Sequence, residues 1–554
     1  MENFNTLLAD IGSVIWGPFV LIPLLLGTGL FLTVRLRMLQ FRKLCPALRL
    51  ALIKRKDDGG AGDISQYQAL TTALAATVGV GNIVGVATAI ALGGPGALFW
   101  MWITALLGMA SKYSEAFLGV RYRVTDARGE QSGGPQYYLH RGFTEVFGRT
   151  GGRIGLVMSI VFAVFAVLAS FGIGNMTQGN AVATQMENSF GVPHITTGII
   201  LFVLTGAVLL GGIRSIGRVT AGFVPLMILL YVVGGMVVLV VNADQIPGAF
   251  GQIFSDAFTG TSAVGGFAGS AILYAIQMGV ARGIFSNESG MGSAAIAAAA
   301  AKTSHPTRQG LVSMTQTFID TIIVVTFTGL VLVTSGTWQE GGDRAGTMTA
   351  DAFAGAMPDG DKLVAVSIAF FAFSTILGWS YYGERCMERL VGARGVIPYR
   401  MVFTCVVFIG AVTELEVVWN FADVMNGLMA IPNLIGLLLL SGLIVRETRR
   451  YLDNDPRLTA TAAQVEAVPS NGSFRTTPPS YRSARRSSTS RSSALTAGPS
   501  SKPQTRRSRA RTACPDTTAS AHTAATATPV RAAGRRSEPL GISARAPAPA
   551  STAV

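Results

Sequence analysis

Charge is scarce in this chain: only 13% of its 554 residues are Asp, Glu, Lys or Arg. A soluble protein carries about a quarter, so an ordinary water-facing globule is excluded. Cysteine is scarce too, with four residues at 45, 386, 405 and 514, far apart and without a CxxC pair. No disulfide framework follows from that spacing, and Cys405, inside an apolar run, reads as a small buried side chain. Histidine occurs four times. His140, His194 and His305 stand isolated, and neither a nucleophile–base grouping nor a metal cluster is present, so no residue set reads as an enzyme's.

Apolar length takes the place of charge. Runs near 20 residues recur at roughly 14–34, 67–92, 98–119, 154–185, 196–212, 220–241, 264–284, 310–335, 363–383, 401–418 and 424–445. In hydrocarbon each such run spans as a helix, because every backbone polar group must bond internally. The pattern predicts an all-α integral membrane protein of eleven spans. The first run is preceded by Glu2 and Asp10 and followed by Arg35 and Arg37, unlike a cleaved signal peptide, so it reads as a retained span.

Basic residues follow alternate runs. Eight lie between 35 and 56 and six between 121 and 153, whereas 242–263 holds none and 336–362 holds five acids against Arg344 and Lys362. The positive-inside rule then predicts a multi-pass cell-membrane protein with its N-terminus outside and its C-terminus cytoplasmic. The net charge of +14 invites a nucleic-acid reading, but fourteen arginines, one lysine and three acids from Pro456 onward carry +12 of it. That Ser/Thr/Ala/Pro/Arg-rich stretch, 456–554, has no periodicity and too few large apolar side chains to offset ordering entropy. It reads as a disordered basic tail that either touches anionic lipid or is a nonfunctional extension. It lacks the aromatics or folding motif of a nucleic-acid module.

Two runs are interrupted. In ALAATVGVGNIVGVATAIALGGPG (73–96), Gly79 and Gly81 alternate beside Asn82. Glycine costs about 1 kcal/mol against alanine in a helix interior. Close packing of helices explains Gly85, but a polar amide beside two glycines fits a local break, with carbonyls free for a cation and amides free for a carboxylate. GVARGIFSNESGMGS (279–293) again has glycines around Ser286, Asn287, Glu288 and Ser289. Two broken segments opening the two halves of a chain suit a transporter of two five-span repeats, which place substrate near the midplane. The boundaries predicted are 1–66 for an N-terminal helix and basic loop, 67–243 and 264–450 for the repeats, and 456–554 for the tail. In FFAFSTILGWSYYGE (370–384) Thr375 and Trp379, four apart, share a face, and Ser374 sits beside it. Ser374 also suits a bond to a carbonyl one turn back, and Trp379 suits packing or an interface anchor. Gln178, in GNMTQGN (174–180) with Asn175 and Asn180, suits a cavity wall.

Five stretches carry a resemblance: GGPGALFWMWITALLG (93–108), GGPQYYL (133–139), GIFSNESGMGSA (283–294), FSTILGWSYYGE (373–384) and MAIPNLIGLLLLSG (429–442). In this order they resemble the motifs of the alanine/glycine:cation symporter family, also called sodium:alanine symporters, over about residues 10–450. The resemblance implies one extra N-terminal helix before a ten-helix inverted-repeat core of the amino-acid/sodium symporter type. It implies sodium-coupled, or in some members proton-coupled, uptake of small neutral amino acids: alanine, glycine or serine. The substrate carboxylate would face Gly79, Val80, Gly81 and Asn82, and the ammonium would face Phe285 and Thr375. Gln178 and Trp379 would line the pocket, and carbonyls of Ala75 and Val78 with hydroxyls of Ser374 and Thr375 would hold sodium. Sodium is the coupling ion there; no cofactor, nucleic acid or obligate protein partner is implied. The competing class, an ion channel, needs a continuous polar path and a repeated filter motif, and neither is visible.

Overall fold

The computed structural model describes residues 2–54, 60–259, 268–341, 344–413 and 415–458. The predicted tail beyond 458 and the start of the seventh run lie outside them. Helices make up almost all of the described chain, and the sole sheet among the described residues pairs Val124–Thr125 with Gln131–Ser132. Six helical segments are long and apolar enough to cross a membrane: Pro135–Phe190, Gly212–Val241, Pro306–Ser335, Gly360–Val391, Ala393–Val412 and Glu416–Asn454. A seventh forms if Gln66–Thr77 and Val80–Gly93, bent by 63°, count as one span. Gly96–Arg121 is a 26-residue helix whose apolar run is diluted by Lys112 and Glu115.

Local chemistry sets these limits. Ser65 starts the Gln66–Thr77 helix with a reciprocal cap: its Oγ accepts from the Gln68 amide at 3.2 Å, and the Gln68 side chain accepts from the Ser65 amide at 3.0 Å. Pro306 occupies the first turn of its helix, and the His305 ring accepts from the Thr307 amide at 3.1 Å. The expected first span, 14–34, is two helices, Glu2–Ile15 and Leu21–Arg35, because Gly17 and Pro18 interrupt the ladder between them. At the interruption Trp16 docks by donating its indole N–H to the Asp423 carbonyl at 2.9 Å. The base-free stretch 242–263, expected as a loop, contains the helix Ile246–Thr259. Phe254 and Phe258 of that helix pack edge-on against Phe99.

The outer helix faces are largely apolar, and several charged side chains are buried within the hydrophobic core. Ile195, Ile199 and Val203, four apart on one helix, are 60%, 52% and 57% exposed. Lys112, Glu115, Glu288 and Asp320, by contrast, are buried. An outer stripe of that kind marks a surface that something apolar covers, and in a chain with this many spanning helices it suits lipid. Cys405 belongs to such a stripe, exposed beside Met401 and Ile409 on Val396–Val412, so the expectation that it is buried is corrected. An apolar run by itself does not separate a core face from a lipid face.

At the base-rich end, the small hairpin is clamped by Arg385, which pairs with Asp126 at 2.7 Å, with Glu388 at 2.9 Å and with Glu130. Burial alone would raise the Asp126 carboxyl, but the Glu130 amide and the Arg385 guanidinium hold it below the usual range. A depressed carboxyl contributes stability above its ordinary titration range and loses it as pH falls through the lowered value. Arg385→Met therefore strands buried carboxylates and should cost about 3–5 kcal/mol at neutral pH. Thermal unfolding in detergent should show a lower midpoint for the variant at pH 7 and a smaller gap to wild type near pH 3, below the ordinary carboxylate range. An equal gap at both pH values would refute the clamp.

Candidate functional site

The first break is an exchange of hydrogen-bond partners. In a continuous helix the Gly79 amide would donate to the Ala75 carbonyl, and the Val80 amide to that of Ala76. Instead the Gly79 amide donates to Asn82 Oδ1 at 2.9 Å, and the Val80 amide to Gln178 Oε1 at 3.1 Å. The Ala75 carbonyl, released, accepts from Thr375 Oγ1 at 3.0 Å. Ser374 Oγ lies 3.3 Å from the same carbonyl and 2.8 Å from that of Phe371 in its own helix, so the local bond read from sequence is formed beside the longer-range contact. The helix stops at Thr77, with Val78 as its last cap, and resumes at Val84.

Crowding explains the two glycines. A Cβ on Gly79 would fall 2.4 Å from Thr375 Oγ1 and 3.0 Å from Gln178 Oε1. One on Gly81 would fall 3.1 Å from Phe285 Cδ1. Gly85 is different: a Cβ there meets nothing within 4 Å, so close packing does not account for it, contrary to expectation.

The second break is confined to six residues, 288–293, between the helices Ala268–Asn287 and Ala294–Ala299. Glu288, Gly290 and Gly292 turn it with positive φ values of 55°, 93° and 82°. Side chains from other helices take its backbone groups. Lys112 Nζ donates to the Glu288 carbonyl at 3.0 Å, Asn433 Nδ2 to that of Gly290 at 2.8 Å, and the Gly292 amide donates to Glu115 Oε1 at 2.9 Å. Asp320 joins the two breaks. Its Oδ1 accepts from Asn82 Nδ2 at 2.8 Å, and its Oδ2 accepts from Ser286 and Thr321, each at 2.8 Å.

Of the residues singled out from sequence, Ala75, Gly79, Val80, Gly81, Asn82, Gln178, Phe285, Ser374 and Thr375 meet around the first break through these contacts. Val78 ends the helix there. Trp379, one turn beyond Thr375, donates its indole N–H to Glu288 Oε1 at 2.6 Å and is buried against Gly174. Asn175 and Asn180 do not join the group, for their amides bond the carbonyls of Phe403 and Thr413 at 2.7 and 2.6 Å. The sequence reading passed over Lys112, Glu115, Asp320 and Asn433. The signal for the first three was available, since each is a charge inside an apolar run, and such residues mark functional sites in membranes. No group of three or more His, Cys, Asp or Glu suited to a metal occurs among the described residues. Around the released Ala75 carbonyl the neighbouring oxygens are the neutral hydroxyls of Ser374 and Thr375, while the Asp320 carboxylate approaches the break at Asn82.

A family model described as the sodium:alanine symporter family matches residues 1–464. The sodium/alanine symporter AgcS of Methanococcus maripaludis is 52% identical over 452 residues, 81% of this chain and 97% of the relative. An uncharacterized transporter of Haemophilus influenzae is 50% identical over 453 residues, 81% and 96% of the two chains. The probable sodium/glutamine symporter GlnT of Bacillus subtilis is 37% identical over 444 residues, 79% and 89% of the two.

The two glycines make opposite predictions. Gly79→Ala overpacks the break and should cost about 1–3 kcal/mol, lowering the thermal midpoint. Gly85→Ala, with free space and better helix propensity, should leave the midpoint unchanged or raise it. Equal shifts in the two variants would show that crowding at Gly79 is not what selects glycine.

Proposed function

The chain belongs to the sodium:alanine symporter family, and we propose that it couples sodium entry to the uptake of small neutral amino acids, alanine or glycine before serine. Family membership makes it a multi-pass membrane transporter, not an enzyme. One observation carries the proposal further: at the first break, Asn82 and Gln178 replace backbone acceptors, leaving a carbonyl face toward Ser374 and Thr375.

On this reading, sodium sits between the carbonyls of Ala75 and Val78 and the hydroxyls of Ser374 and Thr375. Both hydroxyls can rotate to present a lone pair, since a hydroxyl donates or accepts as its partner requires. The amino acid's carboxylate lies along Gly79, Val80, Gly81 and Asn82, and its ammonium faces Phe285 and Thr375. Gln178 and Trp379 close the pocket, and the indole, tied to Glu288, limits the side chain to a hydrogen or a methyl. Cation and substrate then share one unwound stretch, so each orders the segment for the other and raises its affinity by the same factor. The two repeats, 67–243 and 264–450, exchange exposed sides around this point within a fold of eleven spans, with the N-terminus outside and the C-terminus cytoplasmic. The name of the AgcS relative supports alanine and sodium. The three buried carboxylates at 115, 288 and 320 favour a second version, in which a proton replaces sodium.

Uptake of radiolabelled L-alanine into proteoliposomes tests the proposal. Accumulation driven by an inward sodium gradient, and absent with a proton gradient alone, is the expected result. Accumulation only with protons would move coupling to the buried carboxylates. Silence for alanine, glycine and serine under both gradients would overturn the substrate assignment.

A further inference from the structure

An open cavity of about 750 Å³ lies at the base-rich end between the Leu21–Arg35 and Leu415–Asn454 helices. Among the described residues Arg35, Arg446, Arg449 and Arg450 line it against a single carboxylate, that of Asp453. The walls are joined: Arg449 Nη2 donates to the Arg35 carbonyl at 3.1 Å. Arg35 lies over the Phe31 ring, 5.3 Å from its centre. The nearest acid in sequence, Glu447, is turned to the other face, where it pairs with Arg121 at 3.2 Å. Arg35, Arg446 and Arg449 form no ion pair with a carboxylate among the described residues.

Apolar surface begins directly beside these cations. Phe31, one turn before Arg35 and under its guanidinium, is 37% exposed on one side, and Leu439, two turns before Arg446 on the same face, is 48% exposed on the other. From Leu439 to Arg446 the helix rises about 10 Å, the distance over which a bilayer passes from acyl chain to phosphate. Cationic groups over two apolar flanks have the layout of a phospholipid seen from its partner. Guanidinium forks favour phosphate oxygens, and basic pockets between membrane helices hold anionic head groups.

We propose that this cavity is a binding site for one anionic phospholipid. Its phosphate is held by Arg35, Arg446 and Arg449, and its acyl chains run along Phe31 on one side and Leu439 on the other. A zwitterionic lipid is disfavoured, because its own cation would meet Arg35, Arg446 and Arg449, none of which pairs with a carboxylate among the described residues. The lipid would bridge the N-terminal helix to the last helix, adding to the direct packing between them. The site does not depend on which amino acid or ion is transported.

The test uses the full-length protein in detergent, titrated with phosphatidylglycerol, phosphatidylcholine or inorganic phosphate, with binding followed by native mass spectrometry and thermal unfolding. Phosphatidylglycerol should be retained and should raise the midpoint; the other two should do neither. The double variant Arg446→Gln/Arg449→Gln should weaken phosphatidylglycerol binding roughly thirty-fold, with Arg35→Gln as the milder variant should the double one unfold. Arg153→Gln, outside the cavity, should bind as wild type, which separates this site from general attraction to the basic tail. Equal retention of phosphatidylcholine, equal stabilisation by inorganic phosphate, or undiminished binding in both cavity variants would each overturn the assignment.

Discussion

Two side-chain oxygens hold the architecture of the site: Asn82 Oδ1 and Gln178 Oε1 accept the amide protons that helix geometry would assign to Ala75 and Ala76. In hydrocarbon an unpaired backbone group costs several kcal/mol. A membrane helix can therefore break only where other groups replace its ladder. The 63° bend, the crowded glycines and the carbonyl facing Ser374 and Thr375 follow from that exchange. Asn82 is doubly used, because its nitrogen also donates to Asp320, which in turn accepts from Ser286 at the edge of the second break.

The second break solves the same problem with charge. Lys112, Glu115 and Asn433 supply the partners that residues 288–293 lack. Trp379 links that break to the helix carrying Ser374 and Thr375 through Glu288. The two broken segments are thus joined by hydrogen bonds through Asp320 and through Glu288. That is the physical requirement for two ligands at this place to sense each other.

Much of this was legible in the sequence, and the reasons for the rest are specific. Alternating glycines beside Asn82 marked the first break because a polar amide next to two glycines fits an interrupted helix better than close helix packing. Gln178 and Thr375 stood out as polar groups in apolar surroundings. Their meeting at the first break depends on contacts to Val80 and Ala75, 98 and 300 residues away in the chain, which periodicity does not encode. Lys112, Glu115 and Asp320 were visible but absorbed into runs judged by average hydropathy. Cys405 was misjudged because core and lipid faces have the same composition. Asn175 and Asn180 were grouped with Gln178 by proximity along the chain, while the helix turns them toward the carbonyls of Phe403 and Thr413.

The central claim is that one unwound stretch, held by Asn82, couples a cation to a small amino acid. The most direct measurement is the equilibrium affinity for alanine across a sodium titration, in wild type and in Asn82→Ala, with the purified protein in detergent. The account predicts that sodium raises alanine affinity in wild type, that alanine raises sodium affinity by the same factor, and that both effects fall toward unity in the variant. A variant that binds alanine with unchanged sodium dependence would contradict it.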